Sequence, residues 1–177
     1  MQRAIRLLVL GIGNPSRTDD GVGHYVVEQL RCHLGRSPAD TNDDYSGWSE
    51  FPTVQTTRVH QLTPEISLDI KDFDVVVFVD ASIGCGNGGD LPGDVDLSPV
   101  MAEISIAPVS HHWAAGSILA LTAHFFGRAP KGYVLSIPGR DFSFGDALSP
   151  RTKEDADRAV RLLAEHIEGW LKGGLPQ

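Results

Sequence analysis

The sequence predicts an α/β fold, a three-layer α/β/α sandwich built on a mostly parallel, twisted sheet of about five strands. Three observations carry that expectation. Apolar runs of strand length alternate along the chain with stretches whose apolar residues recur at three and four, the pattern of strands joined by amphipathic helices. The strand runs are nearly continuous in their hydrophobicity, as strands covered on both faces require. The 177 residues, 41% hydrophobic and 21% charged, match one globular domain spanning 1–177 with a single core.

Ile5 to Leu10 is the first strand, broken only by Arg6 and closed by the turn Gly11-Ile12-Gly13-Asn14-Pro15. Val22, Val26, Val27, Leu30 and Leu34 then mark one face of a helix. From Gly35 to about Pro52 the composition turns to Asp, Asn, Ser and Gly, which suits a solvated connection. Val54 to Val59 is a second strand, and Pro64-Glu65 opens a short helix through Ile70. Asp74 to Val79 is the clearest buried strand, and it runs out on Asp80. The five glycines between Gly84 and Gly93 form a loop, because glycine loses too much entropy inside a regular element. Glu103 to Val109 is the next expected strand, interrupted by Pro108. Ala114, Ile118, Leu119, Thr122 and Phe125 trace a helix, and Tyr133 to Ile137 a further strand. The last helix carries the stripe Ala156, Val160, Leu163, Ile167 and Leu171, with Ser149-Pro150 or Thr152 at its start and Gly173-Gly174 as its stop.

Charge and composition exclude several functions. The formal net charge of −8 opposes binding to polyanionic backbones and anionic membranes, so neither nucleic acid nor a membrane is expected as a partner. Cys32 and Cys85 show no metal-ligand spacing and are too few for a disulfide framework, which fits a reducing, cytoplasmic setting. The opening apolar run ends in glycines and reads as a strand rather than a signal peptide, and no run approaches the ~18 apolar residues of a membrane span.

In open α/β sheets, ligands bind beyond the carboxyl ends of the strands. Those positions hold Asn14, Asp19 and Asp20 after the first strand, Asp80 after the third, and Ser110, His111 and His112 after the strand expected at 103–109. Carboxylate and imidazole without thiolate suit a borderline divalent cation such as nickel, zinc or iron(II). Each residue also has a plainer role open to it. Asp20 precedes a helix and can cap it, Asp80 can satisfy amides of the following turn, and paired histidines at a helix start can be solvated surface. GIGNPSRTDDG is not a GxGxxG fingerprint, and no GxSxG, HExxH or cysteine-nucleophile motif is present. His24, His33, His60, His124 and His166 are scattered and read as structural or exposed.

The stretch LVLGIGNPSRTDDGVGHYVVEQL resembles the opening signature of the hydrogenase maturation proteases, endopeptidases that trim the C-terminus of the nickel-iron hydrogenase large subunit. The resemblance continues through HQLTPE (60–65), VVVFVDA (75–81), SHHWAAGSILALTAHFFGRAP (110–130) and FSFGDALSP (142–150). It leaves out the polar segment near 36–53 and the glycine loop. The resemblance implies a cytoplasmic monomer acting on the large-subunit precursor. It also implies a catalytic, metal-contacting triad of Asp20, Asp80 and His111. The metal is nickel, supplied by the precursor rather than stably bound, so that cleavage follows nickel loading. Two departures stand out. The first acid is often Glu in the family, and the histidine is doubled here; counting back from Leu119-Ala120-Leu121 selects His111 over His112. Two other functions compete with this one. A peptidyl-tRNA hydrolase-like enzyme shares a GLGNP-like opening but has an Arg-His-Asn element where this chain has Thr18-Asp19-Asp20-Gly21. A non-enzymatic nickel-dependent chaperone of the precursor would need the same ligands.

Overall fold

A computed structural model describes residues 4–35, 53–83, 94–103 and 114–174. Every residue of β1 (Leu7–Ile12) is buried, as its unbroken apolar run demands. The two-residue period of a strand divides it between two cores: Leu7 and Val9 enter one, Leu8, Leu10 and Ile12 the other. β3 (Val75–Ile83) divides the same way, with Val75, Val77 and Val79 on the first side and Val76 and Phe78 on the second.

β1 lies between β2 (Val54–Val59) and β3, β3 pairs in turn with β5 (Lys131–Gly139), and all these pairings are parallel. β4 (Asp96–Val100) closes the edge antiparallel to β5, giving the order β2-β1-β3-β5-β4. The first core is covered by α1 (Val22–His33) and α4 (Pro150–Gly173), which bury Val26, Leu30, Leu163, Ile167 and Trp170 among others. The second is covered by α2 (Ile66–Ile70) and α3 (Ala115–Phe126), through Ile66, Ile70, Ile118 and Leu119. Burying each such side chain contributes about 1.5–3 kcal/mol, which is what seats the helices on the sheet. This is the three-layer α/β arrangement expected. Among the described residues no helix is long and apolar enough to cross a membrane.

One expected strand differs. Glu103 lies outside any strand and residues 104–109 lie outside the described residues, whereas Asp96–Val100 forms β4. Its exposed, polar sequence with Pro99 gives none of the signals of a buried strand. An edge position tolerates such a strand, because a proline there costs no ladder bond on the side facing away from the sheet. Since β4 runs against β5, with Val100 opposite Gly132, its carboxyl end is at the opposite rim of the sheet from those of the parallel strands. The glycine loop at 84–93 and most of the polar segment lie outside the described residues.

Register fixes what comes together at the carboxyl rim. Ile12 pairs with Val59 and Gly11 with Val79, so Gly13, His60 and Asp80 all lie at or just past the last rungs of three adjacent strands. The helix that follows must come down very close to this rim. A Cβ on Gly23 of α1 would sit 2.4 Å from the Ile12 carbonyl oxygen and 2.5 Å from that of Val79. Gly23→Ala is therefore expected to destabilise the protein by about 1–3 kcal/mol through overpacking, read as a lowered midpoint in urea unfolding.

Candidate active site

The connection from β1 to α1 crosses the carboxyl rim as a tight loop ending in a 3-10 turn (Thr18–Gly21). Gly13 has φ of +125°, and a Cβ there would meet the Asp20 carbonyl oxygen at 1.8 Å, so the loop folds back on itself only with glycine at this position. Thr18 carries φ of +40°, a conformation uncommon for a β-branched residue. It is held there by a second loop. The Thr18 amide donates to the Gly145 carbonyl at 2.8 Å, and its hydroxyl donates to the Asp141 carbonyl at 2.6 Å. The Arg17 guanidinium donates to the Phe142 carbonyl through two nitrogens, at 3.2 and 3.1 Å.

The two neighbouring aspartates of this loop do opposite jobs. Asp19 is fully buried. Its carboxylate accepts the amides of Arg140 (2.8 Å), Asp141 (2.9 Å) and Ser149 (2.7 Å) and the hydroxyls of Ser149 and Thr152 (both 2.8 Å). Burial works to raise its pKa, but the amides of Arg140, Ser149 and Asp141 together with the Ser149 hydroxyl outweigh it and hold the group below the ordinary carboxylate value. Thr152 and Ser149, expected as helix caps, are thus committed to this carboxylate; Ser149 is the N-cap residue of α4 but makes no side-chain cap bond.

Asp20 faces the other way. One of its oxygens accepts the Asn14 amide at 2.9 Å, and it makes no side-chain cap to α1, whose N-cap is Gly21. It lines a cavity of about 580 Å³ with Gly13, Asn14, Arg17, His60, Gln61, Asp80 and Phe142. Asp80 lies within β3, which runs on to Ile83 instead of ending at Asp80 as expected. It accepts the amide of its strand neighbour Ala81 at 2.8 Å, not of a following turn, and lines the cavity.

The structure therefore brings Asp20 and Asp80 to one cavity; His111 and His112 lie outside the described residues. Among the described residues no three His, Cys, Asp or Glu side chains are arranged to hold a metal ion. Two oxygen donors, one from the loop after β1 and one from β3, are a chemically suitable part of a mixed nitrogen and oxygen set. His60, which reads from the sequence as structural or exposed, lines the cavity with Gln61 and Phe142, to which the sequence assigns no site role. The signal for His60 was available: it directly follows β2, and the strand-end rule applied to the other strands applies equally there.

His24 stands behind His60, the ring centroids 6.0 Å apart and edge to face. Its Nε2 lies 3.1 Å from the Val59 carbonyl, which requires the tautomer protonated at that nitrogen. Burial pushes the imidazole below its ordinary value, with Arg58 and His60 adding to the effect and the Val59 bond and Glu28 opposing it.

No family model matches the sequence, and no curated protein does. The fold is found in solved structures of a class of hydrogenase-processing peptidases. The hydrogenase maturating endopeptidase HybD of Escherichia coli superposes with a TM-score of 0.68 at 19% identity, over 93% of this chain and 93% of that one. An endopeptidase from Escherichia coli gives 0.64 at 20% identity, over 94% and 95%. The nickel-iron hydrogenase maturation protease HycI of Thermococcus kodakarensis gives 0.62 at 21%, over 93% and 94%. The chain shares their fold.

Two outcomes follow for stability. Asp19→Ala strands several buried donors and is expected to cost about 3–5 kcal/mol, whereas Asp20→Ala one residue along costs about 1 kcal/mol, both read from chemical denaturation. For His24, folding lowers the pKa, so stability is complete above the unfolded value of 6.5 and falls as pH drops through the folded one. In melting-temperature profiles against pH, His24→Gln should flatten that decline below 6.5, and an unchanged slope would count against it.

Proposed function

We propose that this protein is an endopeptidase that removes the C-terminal peptide of a nickel-loaded hydrogenase large-subunit precursor, acting in the cytoplasm as a monomeric, single-domain enzyme. The observation that carries this reading is the convergence of Asp20, from the connection after β1, and Asp80, from β3, in one cavity of a fold shared with hydrogenase maturation endopeptidases. The resemblance of the Gly13–Gly21 and Ser110–Pro130 stretches to that family supports it from the sequence side.

On this reading the nickel belongs to the substrate. Asp20, Asp80 and His111 grip it in the precursor and so draw the adjoining peptide bond into the cavity. A cation beside that bond polarises the carbonyl or acidifies a water molecule, and a neighbouring carboxylate takes the water proton. Hydroxide adds to the carbonyl carbon, the C–N bond breaks, and the proton passes to the leaving amine. Gly13 and the Asn14 amide hold Asp20 in place for this step, and the Ala81 amide orients Asp80. An unloaded precursor offers nothing for the carboxylates to grip, so cleavage reports on completed metal insertion.

Mass spectrometry of the large subunit, produced with and without this protein in a nickel-supplied host, tests the reading. Wild type should shorten the subunit by its C-terminal peptide, and Asp80→Ala should leave it at full length. Full processing by Asp80→Ala would rule out the proposed role for that carboxylate. Tight nickel-dependent binding of the precursor without shortening would instead mark a chaperone, and tight tRNA binding at low salt a peptidyl-tRNA hydrolase-like enzyme.

A further inference from the structure

A second cavity, of about 590 Å³, adjoins the first and is used by none of the steps above. The 13–21 loop is the wall between them. Gly13, Asn14 and Asp20 face the first cavity, Pro15, Thr18 and Gly21 face the second, and His60 lines both. A volume of this size is in the range of true ligand sites.

Its lining is fixed in place. Arg58 donates to Glu28 at 2.7 Å, Tyr25 donates its hydroxyl to Asp157 at 2.7 Å, and His24 is tied to the Val59 carbonyl. Preformed walls lower the ordering cost of binding. Its charge is also informative. Two carboxylates, Glu28 and Asp146, face two cations, Arg58 and Lys153, so the acids and bases of the lining balance. A phosphate-bearing ligand would call for a surplus of positive charge. A lining of mixed donors and acceptors without a surplus suits an extended polypeptide, whose backbone presents N–H and C=O groups in alternation.

An endopeptidase must accommodate chain on both sides of the bond it cuts, and the Asp20 and Asp80 cavity holds the bond itself. We infer that the second cavity is a polypeptide subsite, which takes the arm of the precursor leading away from the scissile bond after it crosses the 13–21 loop at His60. This rests on the endopeptidase reading above. It makes His24, Tyr25, Glu28, Arg58 and Lys153 determinants of which precursor is accepted, and not groups that touch the reacting atoms.

Two substitutions at exposed positions test it. Ala147→Trp fills the cavity from its rim, and Lys153→Ala removes one of its cations. The probe is a nickel-loaded large-subunit precursor isolated from a host lacking the protease, with cleavage followed by mass spectrometry at varied precursor concentration. The expected result is a KM raised about ten- to a hundredfold by Ala147→Trp and severalfold by Lys153→Ala, with kcat nearly unchanged in both. Wild-type KM in the folded variants, while wild type cleaves normally, overturns the subsite alone. Failure of wild type to cleave any loaded precursor overturns the endopeptidase reading and the subsite with it. Melting curves establish that the variants are folded, and Lys153, on the exposed face of α4, serves if the tryptophan is not accommodated.

Discussion

The buried carboxylate of Asp19 is the interaction on which the site depends. A carboxylate sealed from water is tolerated only when its lone pairs are filled, and here three amides and two hydroxyls fill them. Those donors come from the end of β5 and the start of α4, so one side chain joins the first strand-to-helix loop to the last. Arg140 extends the junction: its guanidinium donates to the Pro138 carbonyl and to Thr152 and pairs with Asp155 at 2.8 Å. The junction adds to the Gly145 and Asp141 carbonyls that hold Thr18 at positive φ, because it anchors Asp141, one of those partners, through its amide.

The sheet supplies the other half of the geometry. Parallel pairing brings the ends of β1 and β2 level with Val79 and Asp80 of β3, and the close approach of α1 at Gly23 keeps the loop against that rim. The two cavities are then the two sides of one loop. A single ridge of backbone, gripped from beneath by Asp19 and from the flank by the 141–145 segment, separates the carboxylates from the mixed-charge pocket.

Much of this was legible in the sequence because burial writes itself as periodicity. Val54–Val59 has the predicted bounds, and Val22–His33 and Ala115–Phe126 match their apolar spacing closely. The strand-end rule led to Asp20 and Asp80, which do share a cavity. What escaped detection obeys other physics. β4 is an exposed edge strand, so its sequence carries no burial signal, and pairing with β5 alone defines it. The division of labour between Asp19 and Asp20 was equally hidden, since the partners that distinguish them are more than a hundred residues away. His60 differs from these, because its place directly after β2 is a legible strand-end signal that the reading of it as structural or exposed passes over.

The reach of Asp19 also bears on how the molecule comes into being. Its hydrogen bonds join positions 121 to 133 residues apart, and contacts of such separation form late, after the intervening chain has surrendered its freedom. During synthesis the loop bearing Asp20 emerges more than a hundred residues ahead of its anchoring partners at 140–152. A nascent chain therefore contains both acids while lacking the organised cavity between them. The cavity that Asp20 and Asp80 share is organised only once those distant partners are in place.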